Sequence, residues 1–143
     1  MFRFRTNHCD NCKCLFNADL QTCPNCGKPK GKETMQSIME WHRATFPHAT
    51  LEGQLAKYQE EQEEWIKSEH KDLYELADMF IVACGIARFD IREGLFYMYD
   101  VYDWFDSTNG IEFEQLEKAI YKKMKKNRKR EWNENNGYYK HKA

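Results

Sequence analysis

The segment Gln59-Glu60-Glu61-Gln62-Glu63-Glu64 packs four carboxylates into five consecutive positions. On a helix, Glu60 with Glu64 and Glu61 with Glu64 are like-charge neighbours, each pair costing roughly 0.2–0.5 kcal/mol. A second acidic pair, Glu75 and Asp78, stands among Leu76, Phe80 and Ile81, which place it on a largely buried helix. A buried, unpaired carboxylate is costly, so a partner is expected. If the chain reverses between about Ser68 and Lys71, Glu64 and Glu75 lie at one height on antiparallel helices, each about 6 Å from the turn. Glu61, Glu64, Glu75 and Asp78 then form an oxygen-only site suited to Mg²⁺ or Mn²⁺. On one straight helix Glu64 and Glu75 would be about 16 Å apart and could not share an ion. Ser68, His70 and Asp72 tolerate a turn, although no Gly or Pro marks it. A solvated acidic face is the competing reading for Glu60 and Glu63.

Cysteine supplies a second chemistry. Five of the six Cys fall in the first 26 residues, as Cys9-x2-Cys12, Cys14 and Cys23-x2-Cys26. Two such pairs ten residues apart match a four-thiolate zinc site, with Cys9, Cys12, Cys23 and Cys26 as ligands. Pro24 and Gly27 suit the turn at the second pair, while Cys14 and His8 are alternate ligands. Disulfides compete with this reading but are disfavoured in a reducing cytosol, and iron would fit the same cage. With every position filled by protein, the Zn²⁺ is structural. A head of roughly 30 residues needs the metal to fold. Its surface would serve nucleic-acid contact, protein docking or simple capping. Lys28–Lys32 reads as a linker, dividing the chain into a zinc ribbon with linker (1–32) and a helical domain (33–143).

Helical periodicity governs that second part. A first helix follows Thr34 and stops near Phe46-Pro47. A second opens at Thr50 and carries Leu51, Leu55, Tyr58 and Trp65 on its apolar side. A third runs from about Asp72 to Arg88, with Cys84 in its apolar stripe as a core residue. The aromatic stretch Leu95–Phe105 and a turn at Ser107–Gly110 lead to a final helix, about Glu112 to Arg130. The stretch reads as core or oligomer interface. No strand pattern is evident outside the zinc head, so the fold class expected is an all-α bundle of four helices. The 143 residues suffice for one domain and an appendage, and 15% aromatics exclude a largely disordered chain. No apolar run reaches the roughly 20 residues that span a bilayer, and no signal peptide is evident. A cytoplasmic location is the expectation.

Net charge is −1, but seven of the 22 Lys and Arg crowd into Lys122–Arg130. That segment is suited to anions. The competing reading is a solvated helix end, where positive charge complements the macrodipole. Trp41 and Trp132 either stack on a base or pack.

In order, Lys57-Tyr-Gln-Glu-Glu61-Gln-Glu-Glu64-Trp and Glu75-Leu-Ala-Asp78 resemble the E-E-x-x-E…E-x-x-D signature of MazG-like all-α nucleoside triphosphate pyrophosphohydrolases. Trp41–Thr50 ahead of the acids, and Lys123-Met-Lys-Lys-Asn127-Arg-Lys-Arg130-Glu-Trp132 behind them, resemble the dATP/dGTP pyrophosphohydrolase branch. The likeness covers residues 35–141. It implies Mg²⁺-dependent hydrolysis of a (d)NTP, a purine dNTP such as dGTP or dATP, to the monophosphate and pyrophosphate. It further implies Glu61, Glu64, Glu75 and Asp78 as metal ligands, with Glu60 adjacent in the catalytic set. Lys123, Asn127 and Arg130 would address the phosphates, and a homodimer or homotetramer is implied. Two features depart from the family pattern: a gap of ten residues between the acid pairs, and an insertion at Ile91–Gly110. The alternative function is a zinc-ribbon nucleic-acid-binding or regulatory module without catalysis. Against it, the chain outside the basic run carries 15 positive and 23 negative charges.

Overall fold

Thr34, Thr50, Asp72 and Asp90 each sit on extended backbone and accept a hydrogen bond from an N–H of the turn that follows. Removing such a cap typically costs about 1 kcal/mol. In the computed structural model they start α1 (Met35–Thr45), α2 (Leu51–Lys67), α3 (Leu73–Phe89) and α4 (Ile91–Asp106). Helix α5 (Phe113–Asn127) begins where Gln115 Oε1 accepts the Glu112 N–H at 2.8 Å. The structure describes residues 6–8, 15–17, 33–108, 110–135 and 138–141. Strands β1 (Thr6–His8) and β2 (Leu15–Asn17) pair antiparallel, with His8 opposite Leu15. Cys9, Cys12, Cys14, Cys23 and Cys26, with the 28–32 linker, lie outside the described residues.

The protein is predominantly helical, and α3 is the helix against which the other four pack. Its sequence explains the central place: eleven of its seventeen residues are buried, from Leu76 to Ala87. Leu76, Met79 and Ile86 meet Trp65, Val101 and Leu116 in one core, and Cys84 is fully buried within it. No helix among the described residues is long and apolar enough to cross a membrane.

The α2–α3 reversal needs neither Gly nor Pro. Ser68 Oγ donates to Trp65 O at 2.6 Å and accepts from the N–H groups of Lys71 and Asp72 at 3.3 and 3.2 Å. Glu69 and His70 turn the chain at φ 61° and 58°, left-handed values that cost non-glycine residues roughly 1–2 kcal/mol each. The His70 ring, packed 5.4 Å from Trp65 and 4.9 Å from Trp104, offsets part of that cost.

Three expectations are corrected. The aromatic stretch is not a connection between helices but α4, so the bundle has five described helices rather than four. Gly94 lets α4 approach: a Cβ there would stand 2.3 Å from Ala87 Cβ and 2.4 Å from Ala87 Cα. A strand pair does exist outside the head, since β3 (Trp132–Asn135) and β4 (Tyr138–His141) form an antiparallel hairpin. The last helix ends at Asn127, and Arg128 caps it instead of extending it to Arg130. Arg128 grips Glu33 through Nε–Oε1 and Nη2–Oε2 bonds of 3.1 Å each, while the Ser37 hydroxyl donates to Glu33 at 2.6 Å.

Candidate metal and phosphate site

Gln54, Lys57, Glu61 and Glu64 recur along α2 at three-and-four spacing and so share one face. Glu75, Asp78, Val82 and Gly85 do the same on α3. The Ser68 turn sets the two faces against each other, and α5 closes the third side with Lys123 and Asn127. Arg130, Trp132, Trp41 and Phe46 finish the rim of a cavity of about 320 Å³.

At one end, a carboxylate oxygen from each of Glu61, Glu64 and Glu75 lies within 4.8 Å of the others. Glu61 is buried and Glu64 exposed. Glu61 Oε2 and Glu75 Oε2 are buried without a hydrogen-bond partner among the described residues. Burial, then the Asp78 charge, pushes the Glu61 carboxyl up to about 7, against the pull of Lys57. Burial, a hydrogen bond with Glu64 and the charge of Asp78 push Glu75 up to about 8. An oxygen-only donor set with two buried oxygens that have no hydrogen-bond partner among the described residues fits Mg²⁺ or Mn²⁺.

Asp78 is in the same cavity but outside that three-oxygen group, because Lys123 Nζ holds its Oδ2 at 3.1 Å. Burial raises the Asp78 carboxyl, with Lys123 opposing. Lys57 pairs with Glu61 at 3.1 Å and with Glu60 at 3.7 Å. Burial alone would lower its ammonium, yet Glu61, Glu60 and Glu64 outweigh burial and raise it. Glu60 does not line the cavity, and its side chain is 42% exposed. Asn127 is buried, and its Oδ1 accepts from Arg130 Nη1 at 3.1 Å, so it positions Arg130 more than it faces solvent.

The opposite end is aromatic. Trp41, Phe46 and Trp132 meet edge to face, with Trp132 centred 6.1 Å from Trp41 and 5.0 Å from Phe46. Trp132 Nε1 also donates to Asn127 O at 3.4 Å, linking the aromatic rim to α5. Lys57, Phe46, His42 and Gln54 line the site without having been singled out from sequence. Lys57 stands four residues ahead of Glu61, and His42 and Phe46 fall within the Trp41–Thr50 stretch, whereas Gln54 carried no such signal.

No family model, curated protein or solved structure matches this chain. The geometry therefore stands on its own residues.

His42 gives this wall an acid sensitivity. Burial, then the neighbouring Arg88 guanidinium, pushes its imidazole down to about 4, against a hydrogen bond with Gln54. Arg88 from α3 and Gln54 from α2 face the ring, beside Trp41 and Phe46. The unfolded chain takes up the proton near 6.5 and the folded chain only near 4. Stability contributed by neutral His42 is thus present above about pH 6.5 and is lost as pH falls toward 4. Between those limits the native protein should lose up to about 3 kcal/mol more than a His42→Phe variant. Urea unfolding at pH 7, 5.5 and 4.5 measures this, and parallel pH profiles would refute it.

Proposed function

We propose that the chain is a Mg²⁺-dependent nucleoside triphosphate pyrophosphohydrolase, converting a (d)NTP to the monophosphate and pyrophosphate. One observation carries the reading: three converging carboxylates, two with partnerless buried oxygens, share a cavity with Lys123 and Arg130 and with an aromatic rim. A triphosphate is the ligand that requires all of these together. Its divalent ion satisfies the carboxylates, its phosphate charge meets the cations, and its base meets the indoles. A purine dNTP such as dGTP or dATP is the proposed substrate.

Glu61, Glu64 and Glu75 would hold the ion, with Asp78 within reach of the same cavity. Bound there, a divalent cation polarises phosphate oxygens and acidifies a water. The remaining work falls to the protein. Lys123, with Arg130 braced by Asn127, neutralises the phosphates, and one cluster carboxylate accepts the proton of the attacking water. The water oxygen bonds to the α phosphorus as the bond from that phosphorus to the bridging oxygen breaks, and the electron pair leaves with pyrophosphate. No side-chain nucleophile is required, since positioning and charge stabilisation dominate phosphoryl transfer.

The alternative, a nucleic-acid module without catalysis, is less well supported. Lys123, Arg128 and Arg130 turn inward to Asp78, Glu33 and Asn127, which leaves Lys122, Lys125, Lys126 and Lys129 as the exposed part of the basic run. The deciding experiment is incubation of the pure protein with Mg²⁺ and a nucleotide panel. Pyrophosphate and monophosphate are expected. Orthophosphate as the first product, or no turnover of any nucleotide, would overturn the reading.

Two further parts belong to the proposal. Zn²⁺ held by Cys9, Cys12, Cys23 and Cys26 should give one metal per chain by elemental analysis, lost on replacing Cys12. The ribbon then remains available for nucleic-acid or protein contact. Ile91, Leu95, Phe96 and Tyr99 lie on α4 with 40–67% of their surface exposed, which supports self-association. Sedimentation should return two or four times 17.2 kDa, and a monomer mass would remove that part.

A further inference from the structure

The aromatic end of the cavity contains a polar relay that phosphate chemistry does not use. Arg88 Nη1 lies 3.1 Å from His42 Nδ1 and donates to Phe46 O at 2.7 Å. A guanidinium has no acceptor, so Nδ1 must accept and the His42 proton must sit on Nε2. That N–H bonds to the Gln54 side chain, whose sole acceptor is Oε1. Gly85 makes room for the junction. A Cβ at that position would stand 2.7 Å from Gln54 Oε1 and 2.7 Å from His42 Nε2.

With its oxygen engaged, Gln54 has only its amide N–H groups left to offer. The residue is 4% exposed and lines the cavity. An isolated Gln can rotate its amide to suit either kind of ligand edge. Here the relay removes that freedom, so the wall presents donors and not an acceptor.

Position completes the argument. Gln54 precedes Glu61 by seven residues on α2, and Gly85 follows Asp78 by seven on α3. Each interval is about 10 Å of helix, close to the reach from the inner phosphate of a nucleotide to the far edge of its base. A triphosphate on the carboxylates would thus bring its base to Gln54, beside Trp41 and Trp132.

We propose that Gln54, fixed in one orientation by His42 and Arg88, selects the nucleobase, favouring a keto edge (guanine, hypoxanthine, thymine, uracil) over an amino edge (adenine, cytosine). The inference rests on the pyrophosphohydrolase reading and adds the substrate class. Gln54 contacts the base, whereas His42 and Arg88 are positioning residues.

The test compares kcat/KM for dITP and dATP, which differ at the purine 6-position as keto against amino. The native enzyme should prefer dITP by roughly tenfold or more, because a mismatched buried donor is left unpaired. Gln54→Glu, which presents an acceptor, should invert or erase the preference, mainly through KM. His42→Phe frees the amide to flip, and should bring the ratio to within about twofold of one while the enzyme still turns over. A merely structural role for His42 would lower both rates and leave their ratio alone. Equal use of both substrates by the native enzyme overturns the proposal even if neither variant folds, as does an unchanged ratio in both variants. Absence of any hydrolysis would instead refute the underlying activity, so the two failures are distinguishable.

Discussion

Replacing Glu61 with Gln should abolish Mg²⁺-dependent hydrolysis and at the same time make the metal-free protein more stable. The activity loss follows from the proposed role. Metal-based charge stabilisation is worth several kcal/mol, and at about 1.4 kcal/mol per factor of ten its loss slows turnover roughly a thousandfold or more. The stability gain follows from the geometry. Glu61 contributes one of three carboxylate oxygens within 4.8 Å of each other, and its Oε2 is buried without a hydrogen-bond partner among the described residues. A neutral amide keeps an acceptor for Lys57, which stands 3.1 Å away, and removes the like charge. The gain should be about 1 kcal/mol, or roughly 3–5 °C in the thermal midpoint of a chain this size. Addition of Mg²⁺ should raise the midpoint of the native protein and leave that of the variant nearly unmoved. A variant that melts lower and still responds to Mg²⁺ would mean that these carboxylates are structural.

Gly94→Ala should be the most damaging small substitution in the helical unit. The added Cβ would lie 2.3–2.6 Å from the Cβ, Cα and N of Ala87, and no rotamer change can move those atoms. Only separation of α4 from α3 relieves the contact, which exposes part of the core around Met98 and Val101. The expected cost is about 3 kcal/mol, at the upper end for overpacking, and a fall of roughly 10 °C in the midpoint. A midpoint within about 2 °C of native would show that α3 and α4 do not need this close approach.

The elements were legible where capping and period agreed. Thr34, Thr50 and Asp72 stand directly before stretches with clear three-and-four spacing, and α1, α2 and α3 begin there. Helix α4 was obscured by its own richness. Apolar or aromatic side chains crowd the positions from Ile91 to Phe105 and mask a buried face, Gly94, Met98, Val101 and Phe105, that does keep three-and-four spacing; a further sign was Asp90, which caps the N–H groups of Arg92 and Glu93. The C-terminal hairpin did carry a signal, because the dipeptide Asn136-Gly137 in the sequence is of a kind favoured in two-residue hairpin loops. The convergence of Glu61, Glu64 and Glu75 could be anticipated from counting residues to a turn. The turn itself was harder to see, because Ser68 and two left-handed residues do what Gly or Pro usually does. The pairing of Asp78 with Lys123 and the relay through His42 depend on where α5 and α1 settle, which is a matter of tertiary packing and not of local spacing.

The grip of Arg128 on Glu33 gives the cysteine-bearing segment an unequal reach into the molecule. That segment enters the helices through Glu33, so a load on it arrives at the start of α1 and, through Arg128, at the end of α5, one residue from Asn127 and two from Arg130. The carboxylate end, on α2 and α3, lies off that route. If the proposed activity holds, tension on that segment would therefore change how readily nucleotide is captured more than how fast it is cleaved.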